Sequence, residues 1–139
     1  MKTFFSLLFV LLNTIAFGQE FSELETYEPD AEYDNIFVKK VAEDEMQSSF
    51  IIWIKKGVKE HYHADHTENI VVLEGEAVMT LGDELFMIKK GDYLNIPKGT
   101  PHSVTQVLSE EPLKVLSVQS PNFDGTDRLL VERIKHIPN

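Results

Sequence analysis

Two kinds of residue are missing or scarce in this sequence, and each shortage excludes a class of protein. Cysteine is absent from the 139 residues, so the chain forms no disulfide and carries no lipid anchor on a cysteine thiol. Its stability must come from a hydrophobic core, a bound metal or a partner chain. Basic residues are few, and 13 Lys and Arg against 23 Asp and Glu give a formal net charge of −10. This acidity argues against binding to nucleic acid or to an anionic membrane surface.

Long apolar runs are also lacking, except at the start of the chain. Lys2 supplies a positive charge, residues 4–12 are almost entirely apolar, and residues 16–18 (Ala-Phe-Gly) match a small-x-small cleavage pattern. These features predict a secretory signal peptide over residues 1–18, removed before Gln19, and therefore an exported protein that is periplasmic or secreted. The alternative is a retained membrane anchor, but the apolar run is shorter than the ~20 residues of an ordinary span.

The rest of the chain has the pattern of an all-β domain. No segment of useful length before residue 125 has the period of a helix, whereas short apolar runs with turn signals recur. Gly82 and Asp83 predict a tight hairpin. Several short strands at close spacing indicate a sandwich or a closed barrel. The predicted strands cover residues 36–41, 48–55, 69–73, 76–81, 84–88, 93–96, 102–108 and 113–119.

Two terminal segments flank this predicted domain of residues 36–119. Residues 19–35 are acidic and contain no basic residue, which predicts an extended arm or a weakly ordered lead-in. Residues 120–139 form a tail whose pattern fits either a helix or a strand. The tail contains both arginines of the chain, Arg128 and Arg133. Because arginine favours bidentate capture of carboxylates, an acidic substrate would need lysine, backbone donors, a metal, or this tail folded over the mouth of the barrel.

Four of the five histidines lie in two short windows, and they predict a metal site. His61 and His63 project from the same face of an extended segment, about 6.6–7 Å apart, and Glu68 follows after a short loop. A Pro-Lys-Gly turn in the second window leads to His102. Three imidazoles and one carboxylate suit Zn, Fe, Mn, Ni or Cu. We therefore expect a divalent transition metal ion that polarises a substrate oxygen or activates water.

The two windows resemble the two sequence motifs of the cupin superfamily. One departure is visible, because Gln106 stands where the family usually has Asn, at a position that is not a ligand. The resemblance implies a jelly-roll barrel, the double-stranded β-helix, with a metal inside it, and cupins are often homodimers. The matching positions are Gly57, His61, His63, Glu68 and Gly75 in the first motif, and Gly91, Pro97, Gly99 and His102 in the second.

The family resemblance leaves the function open, because cupins include dioxygenases, isomerases, lyases and decarboxylases. We expect a small metalloenzyme acting on a small molecule. The alternatives are a non-catalytic envelope protein that binds a sugar, small ligand or metal, and a structural protein stabilised by its metal. A homodimer is expected, and the apolar strand around Trp53 either forms its interface or belongs to the core.

One further histidine, His66, lies in the loop between two predicted ligands. It is our candidate for catalytic proton transfer. The alternatives are a residue that supports a ligand and a solvated loop residue.

Overall fold

The structure is a computed structural model that describes residues 21–131. The predicted signal peptide and residues 132–139 of the tail lie outside the described residues. Within residues 21–131, no helix is long and apolar enough to cross a membrane. A single 3₁₀ turn, Leu24–Thr26, precedes the first strand.

Within residues 21–131, ten strands form two antiparallel sheets of five strands each, which confirms the all-β prediction. The strands are β1 (Ile36–Glu43), β2 (Ser48–Ile54), β3 (Val58–Tyr62), β4 (Thr67–Glu74), β5 (Glu76–Leu81), β6 (Glu84–Lys89), β7 (Tyr93–Ile96), β8 (His102–Val107), β9 (Leu113–Ser120) and β10 (Leu129–Leu130). The first sheet has the order β1-β2-β9-β4-β7 and the second the order β10-β3-β8-β5-β6. Neighbours in each sheet are mostly distant in sequence, as expected of a jelly roll.

The core lies between the two sheets and follows from alternation along the strands. In β4, Glu68, Ile70 and Val72 are buried while their neighbours are half-exposed. In β5, Ala77 and Met79 alternate in the same way. Since successive side chains of a strand point to opposite faces, each sheet presents one row of apolar residues to the other sheet.

Two glycines show why the chain turns and packs as it does. Gly82 has a φ of +59° and begins the two-residue turn between the paired residues Leu81 and Glu84. This confirms the predicted hairpin, because a turn of the II′ type requires glycine at its first central position. At Gly57, a Cβ atom would lie 2.6 Å from the carbonyl oxygen of Val104. Only glycine therefore allows this close approach between β8 and the start of β3.

The predicted tail returns to the barrel as a short strand. In β10, Leu129 lies opposite Tyr62 and Leu130 opposite His61 of β3. The amide of Val131 also donates to the carbonyl of Glu60 at 3.1 Å. Of the two patterns that the tail sequence fits, the described part adopts the strand.

The N-terminal arm is extended and covers the outer face of the first sheet. Lys114 of β9 points to this face, and its Nζ donates to the carbonyl oxygens of Glu25 at 3.3 Å and Tyr27 at 2.8 Å. Trp53 is only 4% exposed and Ile51 is 0% exposed. The strand around Trp53 is thus buried within one chain, so it serves packing, and the expected homodimer remains a prediction.

Replacing Lys114 with Met tests whether this lysine holds the arm. Methionine is similar in length but cannot donate, so the carbonyls of Glu25 and Tyr27 lose their partner. We expect a loss of about 1–3 kcal/mol in unfolding free energy and faster proteolysis within residues 21–35. Lys40→Met is the matched control, because the Nζ of Lys40 contacts an exposed partner, Glu43. Equal stability and equal proteolysis of the two variants would contradict this role.

Candidate metal centre

Three histidines of the second sheet converge at one end of the barrel. His61 of β3 lies opposite His102 of β8 in the strand register, and their ring centroids are 4.2 Å apart. His63 follows the end of β3, with its ring centroid 5.3 Å from that of His61. One ligand atom from each of the three residues lies within 4.8 Å of the others. All three side chains are buried.

Glu68 reaches the same point from the first sheet. Its Oε2 lies 3.5 Å from Nε2 of His63 and 3.3 Å from Nε2 of His102. Its Oε1 accepts hydrogen bonds from the hydroxyl of Ser117 and, at 3.4 Å, from Nε2 of Gln119. One carboxylate oxygen is therefore oriented by the protein, and the other faces the histidines.

Backbone carbonyls determine the tautomer of each histidine. Nδ1 of His61 donates to the carbonyl of Lys59 at 2.8 Å, and Nδ1 of His102 donates to that of Thr100 at 3.0 Å. Nδ1 of His63 donates to the carbonyl of Asp127. Because a carbonyl only accepts, each Nδ1 carries its proton and each Nε2 is left as the ligand atom. Metal-binding histidines are commonly oriented in this way.

The pKa values of two side chains at this centre are strongly shifted. Burial and the neighbouring His102 lower the pKa of His61 to about 4, so His61 is neutral at physiological pH. Burial alone would raise the pKa of Glu68, but contacts with His102, His63 and Ser117 outweigh it and hold that pKa well below its usual range. The centre therefore presents an ionised carboxylate beside an imidazole with a free lone pair.

The spacing and bonding of these groups fit a transition metal ion. Ligand atoms held ~2.1 Å from one ion lie about 3–4 Å from each other, close to the separations between Glu68 and the two histidines. Among residues 21–131, Nε2 of His102 has no hydrogen-bond partner although it is buried. A buried nitrogen without a partner is costly, and an ion coordinated there would satisfy it. The four residues predicted from sequence are thus brought together, and their role as metal ligands stays a prediction.

A cavity of about 350 Å³ opens onto these four side chains. Its walls are mainly apolar and include Phe50, Ile52, Val104 and Val115, so water is poorly held there. Ile36 and Val38 lie at its mouth, where they are 39% and 52% exposed. The arrangement therefore combines a polar floor with an apolar chamber that is accessible from outside, as small-molecule sites do.

His66, the predicted proton-transfer residue, contacts the tail. Its Nδ1 donates to Oδ2 of Asp127 at 2.6 Å, and its Nε2 donates to the carbonyl of Asn122 at 3.0 Å. Although burial lowers the pKa of His66, these two partners raise it above its usual value. Neither ring nitrogen is free to take a proton, and His66 does not line the cavity. Its catalytic role therefore remains a prediction that the geometry does not favour.

Asp127 is the residue that sequence reasoning missed. Its carboxylate accepts from the amides of Ala64 at 2.8 Å and Asp65 at 2.9 Å, as well as from His66. Its carbonyl holds Nδ1 of His63. Asp127 lies more than sixty residues from these partners, and no local pattern marks it.

Ser117 and Gln119, by contrast, carry a signal in the sequence. They follow Leu113 and Val115 on the same inward face of β9. Polar residues there, where apolar ones are expected, indicate a polar end of the barrel.

Comparison with known proteins agrees with the fold. The family model described as "Cupin domain" matches residues 50–119, a segment that contains all four predicted ligands. The chain therefore belongs to the cupin family. A solved structure from Klebsiella pneumoniae, a protein with a double-stranded β-helix domain, superposes with a TM-score of 0.68. The two sequences are 19% identical, and the match covers 84% of this chain and 100% of the Klebsiella chain. This likeness therefore supports the fold alone.

Relatives in sequence were also found, among them the following two. An uncharacterized protein of Aquifex aeolicus is 34% identical over 105 residues, which are 76% of this chain and 85% of that protein. The quercetin 2,3-dioxygenase of Bacillus subtilis is 51% identical over 43 residues. That match spans 31% of this chain and only 13% of the dioxygenase. The high identity is thus confined to a short part of a longer enzyme.

Removing one ligand should abolish metal binding. His102→Ala should weaken zinc binding by at least about 100-fold, more than the loss of a supporting residue. Zinc should also cease to raise the melting temperature, because a ligand that binds only the folded state stabilises it by mass action. Elemental analysis, chelator competition and thermal unfolding measure these effects. Gln106→Ala, an exposed change in the same strand, is the control. Wild-type zinc content in His102→Ala would refute this assignment.

Weakening the contacts of Asp127 should act on the metal indirectly. In Asp127→Asn an amide group replaces one acceptor oxygen among the loop amides, so the segment that carries His63 and Glu68 loses support. We expect metal affinity to fall about 10–100-fold and the tail to become more sensitive to protease. Asp124→Asn removes the same charge from an exposed residue bonded only within its own turn, to Thr126. Identical affinities in the two variants would count against the role of Asp127.

Proposed function

We propose that this chain is an exported metalloenzyme that acts on a small molecule at the centre formed by His61, His63, Glu68 and His102. The observation that carries the proposal is the convergence of three Nε2 atoms and one carboxylate oxygen at the floor of an open apolar cavity. Four protein ligands fill an octahedral shell only in part, so positions remain for a substrate. When bound, a divalent ion supplies Lewis acidity toward a substrate oxygen.

The residues of the chain have clear tasks in such a reaction. Ser117 and Gln119 orient the carboxylate of Glu68, and three backbone carbonyls orient the imidazoles. The apolar walls exclude bulk water, which strengthens electrostatic interactions within the site. The short match to a quercetin 2,3-dioxygenase supports enzymatic use of a site of this kind, although fold and family do not select the reaction.

One observation favours a second function, a non-catalytic envelope protein that binds a sugar, small ligand or metal. Among residues 21–131, the only titratable side chains that line the cavity are the four predicted ligands and Arg128. Arginine stays protonated and is a poor proton-transfer group. A reaction would therefore rely on the metal and its ligands, whereas binding alone needs nothing further.

Export is part of the proposal and is supported by the sequence of residues 1–18 alone. Intact-mass measurement of the protein from its native host tests it. The expected mass is that of a chain beginning at Gln19. Residues 1–18 found on the bulk of the protein would revive the membrane-anchor alternative.

Cobalt(II) loading separates the candidate functions. If the ion keeps an open position, azide or acetate should change the visible absorption spectrum of the cobalt-loaded protein. A spectrum that no small anion alters would indicate a fully protein-coordinated, structural ion and would refute the proposal. Small molecules that the protein captures then distinguish the enzyme from the binder. They are incubated with protein loaded with Zn, Fe, Mn, Ni or Cu. Product formation with any of these metals supports the enzyme, and unchanged recovery with all five supports the binder.

A further inference from the structure

The cavity lining contains two polar groups that none of the preceding roles uses, the side-chain Oε1 of Gln119 and the guanidinium of Arg128. Of its polar lining residues, Ser103 is already bonded to Thr80 at 2.6 Å, and four others are the predicted metal ligands. The remaining two are Gln119 and Arg128. The other lining residues are apolar, so these two groups determine what a ligand must offer beyond its contact with the metal.

Gln119, which lines the cavity, has a buried acceptor without a partner among residues 21–131. Its side-chain nitrogen donates toward Oε1 of Glu68 at 3.4 Å, which fixes the orientation of the amide. Its Oε1 is buried and has no hydrogen-bond partner among residues 21–131, and the residue is only 5% exposed. A buried acceptor without a donor costs free energy. An O–H group of a ligand placed beside the metal centre would satisfy it.

Arg128 is held at the mouth of the cavity by the residues on both sides of it. Asp127 is bonded to the loop of residues 64–66 and to His63, and Leu129 pairs with Tyr62 in β10. Within residues 21–131, no carboxylate forms an ion pair with the guanidinium inside 4.0 Å. Burial lowers the pKa of Arg128 while Glu68 opposes this shift, so the two charges interact across the cavity. A positively charged fork of donors in a chain of net charge −10 is suited to an anionic group.

We propose that the site takes a small carboxylic acid with an apolar body and a hydroxyl or enol group at its other end. The carboxylate pairs with Arg128 at the mouth, the body contacts the apolar walls, and the O–H donates to Oε1 of Gln119 beside the metal ligands. This inference rests on the proposed function, since it names the substrate class of the same site. The cavity volume of about 350 Å³ limits the acid to a small one, near the lower end of the about 300–1,000 Å³ range of ligand sites.

The inference disfavours an unmodified sugar as ligand. A sugar would bring several hydroxyls into the cavity, and each would need a partner to offset its loss of water. Apart from the metal and its predicted ligands, the side chains of residues 21–131 that line the cavity offer few partners: the Oε1 of Gln119, the guanidinium of Arg128 and the hydroxyl of Ser103, which already bonds Thr80. An acid with one hydroxyl matches these few partners.

Three flexible probes of the same length test the two contacts on the ligand side. They are 6-hydroxyhexanoate, hexanoate, which lacks the hydroxyl, and 6-hydroxyhexanamide, which lacks the charge. Calorimetric titration into zinc-loaded wild-type protein at low ionic strength needs no turnover. We expect 6-hydroxyhexanoate to bind at least tenfold more tightly than either of the other two probes. Binding of the amide as tight as that of the acid, or no binding of the acid at its highest soluble concentration, would overturn the proposal.

Variants test the same contacts on the protein side. Arg128→Met should remove the preference for the acid over the amide, and Arg128→Lys should keep part of it. Lys90→Met removes the same charge from an exposed residue that does not line the cavity, and it should leave the preference intact. Gln119→Leu should remove the preference for 6-hydroxyhexanoate over hexanoate. An acid that binds Arg128→Met as tightly as wild type would show direct carboxylate–metal contact and would overturn the role of Arg128.

The metal content of every sample is measured, so that failure of this inference can be distinguished from failure of the proposed function on which it rests. Full zinc content with no selectivity for the acid would refute the substrate class and leave the metal centre standing. Wild-type protein that binds none of Zn, Fe, Mn, Ni and Cu would refute the metal centre itself. If Arg128→Met fails to fold, the comparison of the three probes on wild-type protein still decides the outcome.

Discussion

The carboxylate of Asp127 is the interaction on which the candidate site depends most. The carboxylate accepts hydrogen bonds from amides of the loop that runs from His63 to Glu68. The backbone carbonyl of the same residue orients His63. Burial would raise the pKa of Asp127, but the donors of His66, Asp65 and Ala64 keep it far below its usual range. The carboxylate is thus ionised, and both of its oxygens accept hydrogen bonds. Asp127 therefore connects the tail to the loop between β3 and β4 and holds the two segments together.

The candidate metal centre shows how a jelly roll brings together side chains from both of its sheets. Two histidines face each other across β3 and β8, whereas Glu68 comes from β4 of the opposite sheet. Each ligand has one atom bonded to the protein and another turned to the common point. Such ligands need little reorganisation on binding an ion, because their tautomers and rotamers are already determined.

Much of this arrangement was predictable, and the reason is that it is local in the sequence. Alternation of apolar residues predicts the strands, and Gly82 predicts its hairpin. His61, His63 and Glu68 lie within eight residues of one another. Asp127 and the docking of the arm on Lys114 were not predictable, because they join residues more than sixty and eighty positions apart. Such contacts depend on how the strands tilt and pair. The role expected of His66 illustrates the same difficulty, since its partners come from the tail.

The placement of β9 has a consequence for how the chain folds. This late strand lies at the centre of the first sheet, between β2 and β4, and its Lys114 holds the arm near the start of the described chain. Until β9 is in place, β1 and β2 are not joined to β4 and β7 within the first sheet, and the arm lacks its contact with Lys114. Pairings of such large sequence separation raise the contact order and slow folding. We therefore expect the first sheet to be complete only after residues 113–120 have paired with β2 and β4.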